Sequence, residues 1–221
     1  MEPGPEQTDM FVEARAGLIL ALRQLGITDP ALLRAFEQVP HEHFVPDDYS
    51  EYAYREVSLP IACGQSITNP AHIAAMLSLL EPQGTGKILE VGTGSGYSAA
   101  ILSRMARRVF SLERYRTLAT QAHAVWSALG FNNIVGLHED GLNGLVQQSP
   151  FDRILLTGSV AEPPESLLDQ LVDGGIAVVP IGPPSEKQVL VRYERADDVL
   201  LETEHGSIRL APLVPGRSRA L

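Results

Sequence analysis

From residue 70 onward, apolar positions alternate between short continuous runs and stretches with helical spacing. The short runs predict buried strands, and apolar residues three or four apart predict helices packed on them. Strands that alternate with helices in this way indicate an α/β fold with a mostly parallel sheet covered on both faces. The predicted strands are KILEVG, RVFSLE, NIVGLHE, FDRILLTG, GGIAVVPIG and KQVLVRYER, and the predicted helices are AHIAAMLSLL, YSAAILSRMA, YRTLATQAHAVWSALG and PESLLDQLV. No helix separates the last strands, so we expect an antiparallel edge where DVLLETE forms a hairpin with its predecessor.

The N-terminal third of the chain has a different pattern. Residues 10–26 show helical spacing, and a second helix is predicted after Asp29, a suitable N-cap, with Pro30 in its first turn. Residues 40–63 have no long period and predict irregular structure with one or two short strands. Residues 1–9 hold two prolines, one glycine and few apolar groups, so we expect a flexible tail. We expect the rest, 10–221, to form a single domain.

Composition and charge exclude several classes of protein. The 221 residues are enough for one domain with a full core. There is no run of about 18 apolar residues, so we expect no membrane span, and the start, MEPGPEQTDM, lacks the blocks of a secretory signal. A formal charge of −10 without a basic stripe disfavours nucleic acid as a partner. The single cysteine, Cys63, rules out an internal disulfide and fits a cytoplasmic location.

The strongest chemical signal is ILEVGTGSGY, residues 88–97, in which a predicted strand runs into Gly92, Gly94 and Gly96. Glycines there let the backbone turn sharply and let a ligand approach the main chain at the carboxyl end of the strand. The spacing is neither the G-x-G-x-x-G of dinucleotide sites nor the G-K-[ST] of a P-loop. Glu90, just before the glycines, is unsuited to a pyrophosphate and favours a ligand with a cationic group.

Two further acids follow the next two predicted strands. Glu113 ends RVFSLE, where an acid can accept hydrogen bonds from both ribose hydroxyls of an adenosine. Asp140, followed by Gly141, comes after the third strand, where it can accept from the adenine amino group. Any one of these acids alone favours a solvated strand end. Together with E-x-G-x-G-x-G they resemble the pattern of class I S-adenosylmethionine-dependent methyltransferases, whose cofactor carries a sulfonium and an amino group and no phosphate.

A narrower resemblance covers about residues 30–183. In order and spacing, the following segments are similar to protein-L-isoaspartate O-methyltransferases: VPHEHFVP, YREVSLPIACGQSITNP, KILEVGTGSGYSAAILSRMA, VFSLER, LGFNNIVGLHEDG, FDRILLTGS and LVDGGIAVVPIGP. The resemblance implies a Rossmann-like class I methyltransferase fold, with seven strands and an N-terminal helical extension. It also implies methyl transfer from S-adenosyl-L-methionine to the free α-carboxylate of isoaspartyl residues in damaged proteins or peptides. In that repair reaction the ester collapses to a succinimide, which can reopen to aspartate.

The resemblance also implies where the site lies. Residues 10–70 would form the substrate side and 71–221 the cofactor-binding core. Thr68 would be the catalytic residue, and Ser66 and Thr68 would bind the substrate. The residues that match the cofactor-binding pattern are Gln65, Ser66, Ile67, Thr68, Glu90, Gly92, Gly94, Gly96, Glu113, Arg114, Asp140 and Gly141.

Three departures from the family pattern leave the acceptor open. Thr68 stands where the family has a serine, and LLTGS, 155–159, stands where a strand threonine is followed by alanines. The closing LAPLVPGRSRAL keeps only a partial likeness, and we leave its residues out of the site. A relative that methylates another carboxyl or hydroxyl group, on a peptide or a small molecule, is one alternative. A non-catalytic protein that only binds the cofactor is the other.

A carboxylate acceptor needs little chemical help from the protein. It is ionised at neutral pH and needs no general base, so alignment supplies most of the catalysis. Asn69 and Pro70 suit the start of a helix, whose N–H groups would then lie beside Thr68 and face the carboxylate. His41 and His43 have no third ligand nearby, so we predict no metal site. We also expect a monomer.

Overall fold

The N-terminal part of the fold is helical and irregular, and a regular α/β core follows it. The computed structural model describes residues 5–218, with side chains from Met10 onward. Helices α1 (Pro5–Gln24) and α2 (Pro30–Gln38) come first. Short 3₁₀ turns and the two-residue strands β1 (Leu59–Pro60) and β2 (Ser66–Ile67) then lead to α3 (Pro70–Leu80). The core elements are β3 (Lys87–Val91), α4 (Tyr97–Ser103), β4 (Arg108–Glu113), α5 (Arg116–Ala128), β5 (Ile134–His138), β6 (Phe151–Leu156), α6 (Glu165–Leu168), β7 (Leu171–Ile181), β8 (Gln188–Ala196) and β9 (Val199–Ile208).

Seven of these strands form one sheet in the order β5-β4-β3-β6-β7-β8-β9. The five from β5 to β7 are parallel, and β8 and β9 add an antiparallel hairpin at the edge. The predicted seven-stranded, mostly parallel sheet and its antiparallel edge are therefore confirmed. The strand order reverses at β3, which pairs with β4 on one side and β6 on the other. Ligands of open α/β sheets bind at the carboxyl ends of the strands beside such a reversal.

Successive side chains along each strand point to opposite faces of the sheet, and on each face they pack into an apolar core. One core packs Ile88, Val109 and Leu155 against helices α1 to α5, and the other packs Leu89 and its neighbours against α6. Helices on both faces are thus confirmed, although the second face has only the four residues of α6 and the turns at 141–148. None of the helices within residues 5–218 is both long enough and apolar enough to cross a membrane.

Both predicted helix caps are confirmed. The Asp29 carboxylate accepts a hydrogen bond from Ala31 N at 2.8 Å, and the Asn69 side chain accepts one from Ala71 N at 2.7 Å. Each is followed by a proline at the first helical position, where the missing N–H costs nothing. Residues 40–63 are irregular as expected, with 3₁₀ turns and one short strand, β1, which pairs with β2.

Two predicted boundaries are wrong. Helix α1 begins at Pro5, ahead of the start expected at residue 10, and 1–4 lie outside the described residues. Proline is well suited to a first helical turn, which allows this earlier start. The helix predicted over 164–172 is limited to α6, because Leu171 pairs with Phe151 in the sheet. A tertiary strand pairing has overridden the local helical spacing there.

Candidate active site

A cavity of about 320 Å³ opens at the carboxyl ends of β3, β4 and β5. Its lining comes from the loops that follow β3, β4, β5 and β6, from Gly64 and Gln65, and from the chain after β9. Of the residues predicted for the cofactor, the structure brings seven to this cavity, which are Gln65, Gly92, Gly94, Glu113, Arg114, Asp140 and Gly141. The sequence motifs therefore converge on one pocket, as the sheet topology requires.

A smaller cavity of about 50 Å³ adjoins the first. Gly92, Gly94 and Thr157 line both cavities, and Ile67 and Thr68 line only the smaller one. Ser66 is exposed and lines neither, so the structure does not bring this predicted substrate ligand to either cavity. We therefore distinguish a large cavity for a nucleoside-sized ligand from a small one for a reacting group.

The glycines of the loop have different tasks. Gly92 has φ +97°, and a Cβ added there would lie 2.3 Å from Thr157 Oγ1, so only glycine fits beside the ligand cavity. Gly96 lines neither cavity, and a Cβ there would lie 2.8 Å from the Trp126 ring, whose Nε1–H donates to Gly96 O at 2.9 Å. The structure therefore places Gly96 against Trp126 and not at a cavity, and the missing side chain allows the start of α4 to pack closely on α5.

Glu113 is held rigidly at the end of β4. It is 5% exposed, and its two oxygens accept hydrogen bonds from Gly94 N and Tyr115 N, both at 2.9 Å. Burial raises the pKa of this carboxyl above its usual range, while the backbone N–H groups oppose that shift. Each carboxylate oxygen retains a lone pair, so two further hydroxyl donors can be accepted from the cavity.

Asp140 connects the cavity to the end of the chain. Its Oδ1 accepts from Leu142 N at 3.1 Å, and its Oδ2 accepts from Gly216 N at 2.7 Å. Arg114, on the neighbouring loop, donates from Nε to Gly216 O at 3.0 Å and accepts from Ser218 N at 2.8 Å through its own carbonyl. The two predicted cofactor residues therefore also anchor residues 211–218, which we call the C-terminal segment.

The C-terminal segment is the largest part of the site that the sequence reasoning missed. Its residues 211–214 line the large cavity, and Ser159 holds them through Ser159 N to Ala211 O at 2.9 Å and Leu213 N to Ser159 O at 2.8 Å. Gly158 makes this approach possible, because a Cβ there would lie 2.7 Å from Ala211 O. The departure LLTGS from the family pattern was the one sequence signal that pointed to this contact.

Glu90 requires a correction. It is fully buried and lines neither cavity, so the direct cofactor contact that we predicted is not what the structure contains. One carboxylate oxygen accepts from the Ser98 hydroxyl and the other from the Ser111 hydroxyl, the second at 2.5 Å. Burial raises the pKa of Glu90 to about 7, although both serines favour the ionised form. Glu90 supports the glycine loop from beneath.

The expected role of the α3 start also changes. Pro70 has no N–H, Asn69 Oδ1 takes the N–H of Ala71, and Asn69 O takes those of His72 and Ile73. The N–H groups predicted to face a carboxylate are thus already used, and only the positive end of the helix dipole remains. Thr68 lines the small cavity, and its hydroxyl has no hydrogen-bond partner among residues 5–218.

The charges around the large cavity match a cationic nucleoside. Two carboxylates, Glu113 and Asp140, face one guanidinium, Arg114, which is already bound to Gly216 O and the Tyr115 hydroxyl. Within the described lining there is no lysine and no second arginine for a phosphate. The acids therefore suit the ribose and adenine of S-adenosylmethionine, and the net negative lining suits its cationic methionine part.

The sheet, the glycine loop and the acids define a class I S-adenosylmethionine-dependent methyltransferase. The sequence model of the family "Protein-L-isoaspartate(D-aspartate) O-methyltransferase (PCMT)" matches residues 13–218. The chain belongs to this family.

Individual relatives agree over almost the whole length. A protein-L-isoaspartate O-methyltransferase of Maricaulis maris is 47% identical over 204 residues, covering 92% of this chain and 95% of the relative. One from Xanthobacter autotrophicus is 44% identical, with 94% of each chain covered. Among solved structures, a protein-L-isoaspartate O-methyltransferase superposes with a TM-score of 0.83 at 27% identity, over 92% of this chain and 67% of the other. The resemblance and the S-adenosylmethionine dependence expected from the sequence are confirmed.

Proposed function

We propose that this enzyme methylates the free α-carboxylate of isoaspartyl residues in damaged proteins or peptides, and that Thr68 holds this carboxylate in the small cavity. The chain's family and its relatives' names support the reaction. The residue assignments rest on the two adjoining cavities, of which one suits the cofactor and the other contains Thr68.

The observation that carries the choice of acceptor is the chemistry of the small cavity. Its described lining contains hydroxyl, apolar and glycine residues and no Asp, Glu, His, Lys or Cys. Burial raises the pKa of Tyr97, so this phenol remains neutral. A hydroxyl acceptor would need a general base, whereas a carboxylate arrives already ionised. The lining therefore favours a carboxylate over the alternative of an alcohol acceptor.

Each residue then has a positioning task. Glu113 accepts the ribose hydroxyls, Asp140 accepts the adenine amino group, and the backbone of Gly92 and Gly94 allows close approach. When bound, S-adenosylmethionine supplies an electrophilic methyl group on its sulfonium. The Thr68 hydroxyl donates a hydrogen bond to the acceptor carboxylate and aims its second oxygen along the line of attack, where correct alignment can supply several kcal/mol.

The decisive experiment compares a peptide that contains isoaspartate with the same peptide that contains aspartate, each with labelled S-adenosylmethionine. We expect base-labile label in the isoaspartyl peptide and at least about 100-fold less in the aspartyl peptide, because the α-carboxylate is free only in the first. Equal labelling of both, or none of either with cofactor binding intact, would overturn the proposal. The second result would favour another acceptor or a non-catalytic cofactor-binding protein.

We also propose that the enzyme acts as a monomer in the cytoplasm, on proteins and peptides and not on nucleic acid. The presence of one cysteine in the sequence, which rules out an internal disulfide, and the formal charge of −10 support this. Sedimentation equilibrium of the purified protein tests the oligomeric state, and a mass of twice 23.9 kDa would contradict it.

A further inference from the structure

A third cavity, of about 320 Å³, lies outside the cavities assigned to cofactor and carboxylate. It is a groove between α1 and the start of α3, and we call it the α1 groove. One face of α1 supplies Ala14, Gly17, Leu18, Ala21 and Leu22, the segment before β1 supplies Glu51, Tyr54, Arg55 and Glu56, and the far wall is Asn69, Pro70 and Ala71.

The α1 side of the groove is apolar, and the Tyr54 hydroxyl and the Asn69 side chain beside it are already hydrogen-bonded, whereas Glu51, Arg55 and Glu56 are exposed. The Tyr54 hydroxyl accepts from Arg15 Nε at 3.0 Å and donates to Glu42. Asn69 caps α3, and the Arg55 guanidinium lies 4.9 Å from the centroid of the Tyr52 ring. An apolar side chain packed against the α1 face would leave water without stranding the polar groups of Tyr54 or Asn69.

The α1 groove lies close to the proposed carboxylate site, although the two share no lining residue. Asn69 and Pro70 follow Thr68 directly, and consecutive Cα atoms are about 3.8 Å apart, so Pro70 Cα lies within about 8 Å of Thr68 Cα. An extended peptide advances about 3.3 Å per residue. A side chain within about three residues of a carboxylate held at Thr68 can therefore reach the groove.

We propose that the α1 groove binds an apolar side chain of the substrate, within three residues of the isoaspartate. The enzyme then prefers isoaspartyl sites that have a Leu, Val, Met or Phe at that distance. This inference rests on the proposed function, because it places the rest of the peptide whose carboxylate Thr68 holds.

The first test uses isoaspartyl peptides in which all flanking positions are glycine except one, which is leucine and is moved from three residues before the isoaspartate to three after it. Burying much of a leucine side chain corresponds to about a tenfold change in affinity. We expect one position to lower KM about tenfold relative to the all-glycine peptide. Equal KM values at all six positions would overturn the inference while leaving the methylation reaction itself established.

The second test fills the groove. A Cβ at Gly17 meets nothing within 4 Å, so Gly17→Leu extends into open space and also replaces a helical glycine. We expect this variant to lose the tenfold preference for the leucine peptide. The matched control is Ala16→Leu, which adds leucine at an exposed position of the same helix outside the groove and should keep the preference.

The unfolding midpoint and the KM for S-adenosylmethionine verify that both variants fold. A preference that survives Gly17→Leu, or that Ala16→Leu also removes, would contradict a side-chain site in the α1 groove. Failure of the proposed function has a different signature, because no isoaspartyl peptide would then be methylated whatever its flanking residues.

Discussion

Thr68 is the only residue of the predicted acceptor pair that reaches a cavity. Its hydroxyl has no partner among the described residues, while the helix start beside it has used its own N–H groups. The side chain is β-branched, so its χ1 rotamers are restricted and its hydroxyl is held in few directions. In the proposed reaction the Thr68 hydroxyl therefore meets the acceptor in few directions, and the threonine methyl leaves less room than a serine would.

We predict that Thr68→Val lowers kcat/KM for an isoaspartyl peptide about 10- to 100-fold, because a hydrogen bond to a charged acceptor is lost. Thr68→Ser should retain activity within a few-fold. The KM for S-adenosylmethionine should not change in either variant. Thr120→Val, which alters an exposed hydroxyl on α5, is the control for general effects of the substitution. Wild-type kinetics in Thr68→Val would show that the hydroxyl has no role.

Glu113 offers a second prediction at this scale. Glu113→Gln should weaken cofactor binding by at least about tenfold and Glu113→Ala by more, because charged acceptors of the ribose hydroxyls are lost. Calorimetric titration with S-adenosylhomocysteine measures this directly. Glu162→Ala removes an exposed acid far along the sequence and should bind normally. An unchanged dissociation constant for Glu113→Ala would remove Glu113 from the site.

The sequence predicted the location of a site residue correctly where the backbone position alone brings that residue to the cavity. Glu113 and Asp140 follow directly from the ends of β4 and β5, where parallel strands must meet. Glu90 was misassigned because a position in a motif does not give the direction of a side chain. Strand alternation puts Glu90 on the same face as Ile88, beneath α4, and its serine partners come from α4 and β4.

At the scale of elements, the C-terminal segment closes the cofactor cavity and depends on distant contacts. Gly216 bonds Asp140 across 76 positions of sequence and Arg114 across 102. The spacing of apolar residues gives no sign of such long-range contacts. The place of the C-terminal segment in the site could therefore not be predicted, although every strand of the sheet could. Helix α6 is shorter than predicted for the same reason, because Leu171 of the predicted helix pairs with Phe151 in the sheet.

We predict that Gly158→Ala weakens cofactor binding about tenfold and lowers stability. The new Cβ would lie 2.7 Å from Ala211 O and 2.9 Å from Leu213 Cδ2, so the C-terminal segment must move, and overpacking of this kind costs about 1–3 kcal/mol. Gly84→Ala is the control, since a Cβ there meets nothing within 4 Å. Calorimetry and thermal unfolding of both variants provide the comparison. Equal behaviour of the two would show that the segment tolerates displacement.

At the scale of the whole molecule, α4 joins the N-terminal part to the sheet, and a buried titratable group lies against each of its first two residues. The His41 ring packs on the Tyr97 ring with centroids 4.0 Å apart, and Ser98 donates to Glu90. Burial lowers the pKa of His41 from 6.5 to about 4 and raises that of Glu90 from 4.5 to about 7. Both groups are therefore shifted towards their neutral forms.

The two shifts have opposite effects on the pH dependence of stability. Between pH 4 and 6.5 the unfolded chain binds the His41 proton more tightly, so this contribution to stability is lost as the pH falls. Between pH 4.5 and 7 the folded chain binds the Glu90 proton more tightly, so this contribution is lost as the pH rises. In the wild type the two contributions oppose each other over most of this range, and single variants separate them.

We predict that the free energy of unfolding of the wild type, relative to Glu90→Gln, falls by about 3 kcal/mol between pH 4.5 and 7. Relative to His41→Asn, which keeps a donor for Ala53 O, it should rise by about 3 kcal/mol between pH 4 and 6.5. Urea unfolding at half-unit pH steps measures both differences. His43→Asn, at an exposed position, is the control for the substitution itself. If neither stability difference changes with pH, then burial does not shift the pKa of His41 or of Glu90 in the folded protein. The argument that Glu90 is held in its neutral form beneath the glycine loop would then be wrong.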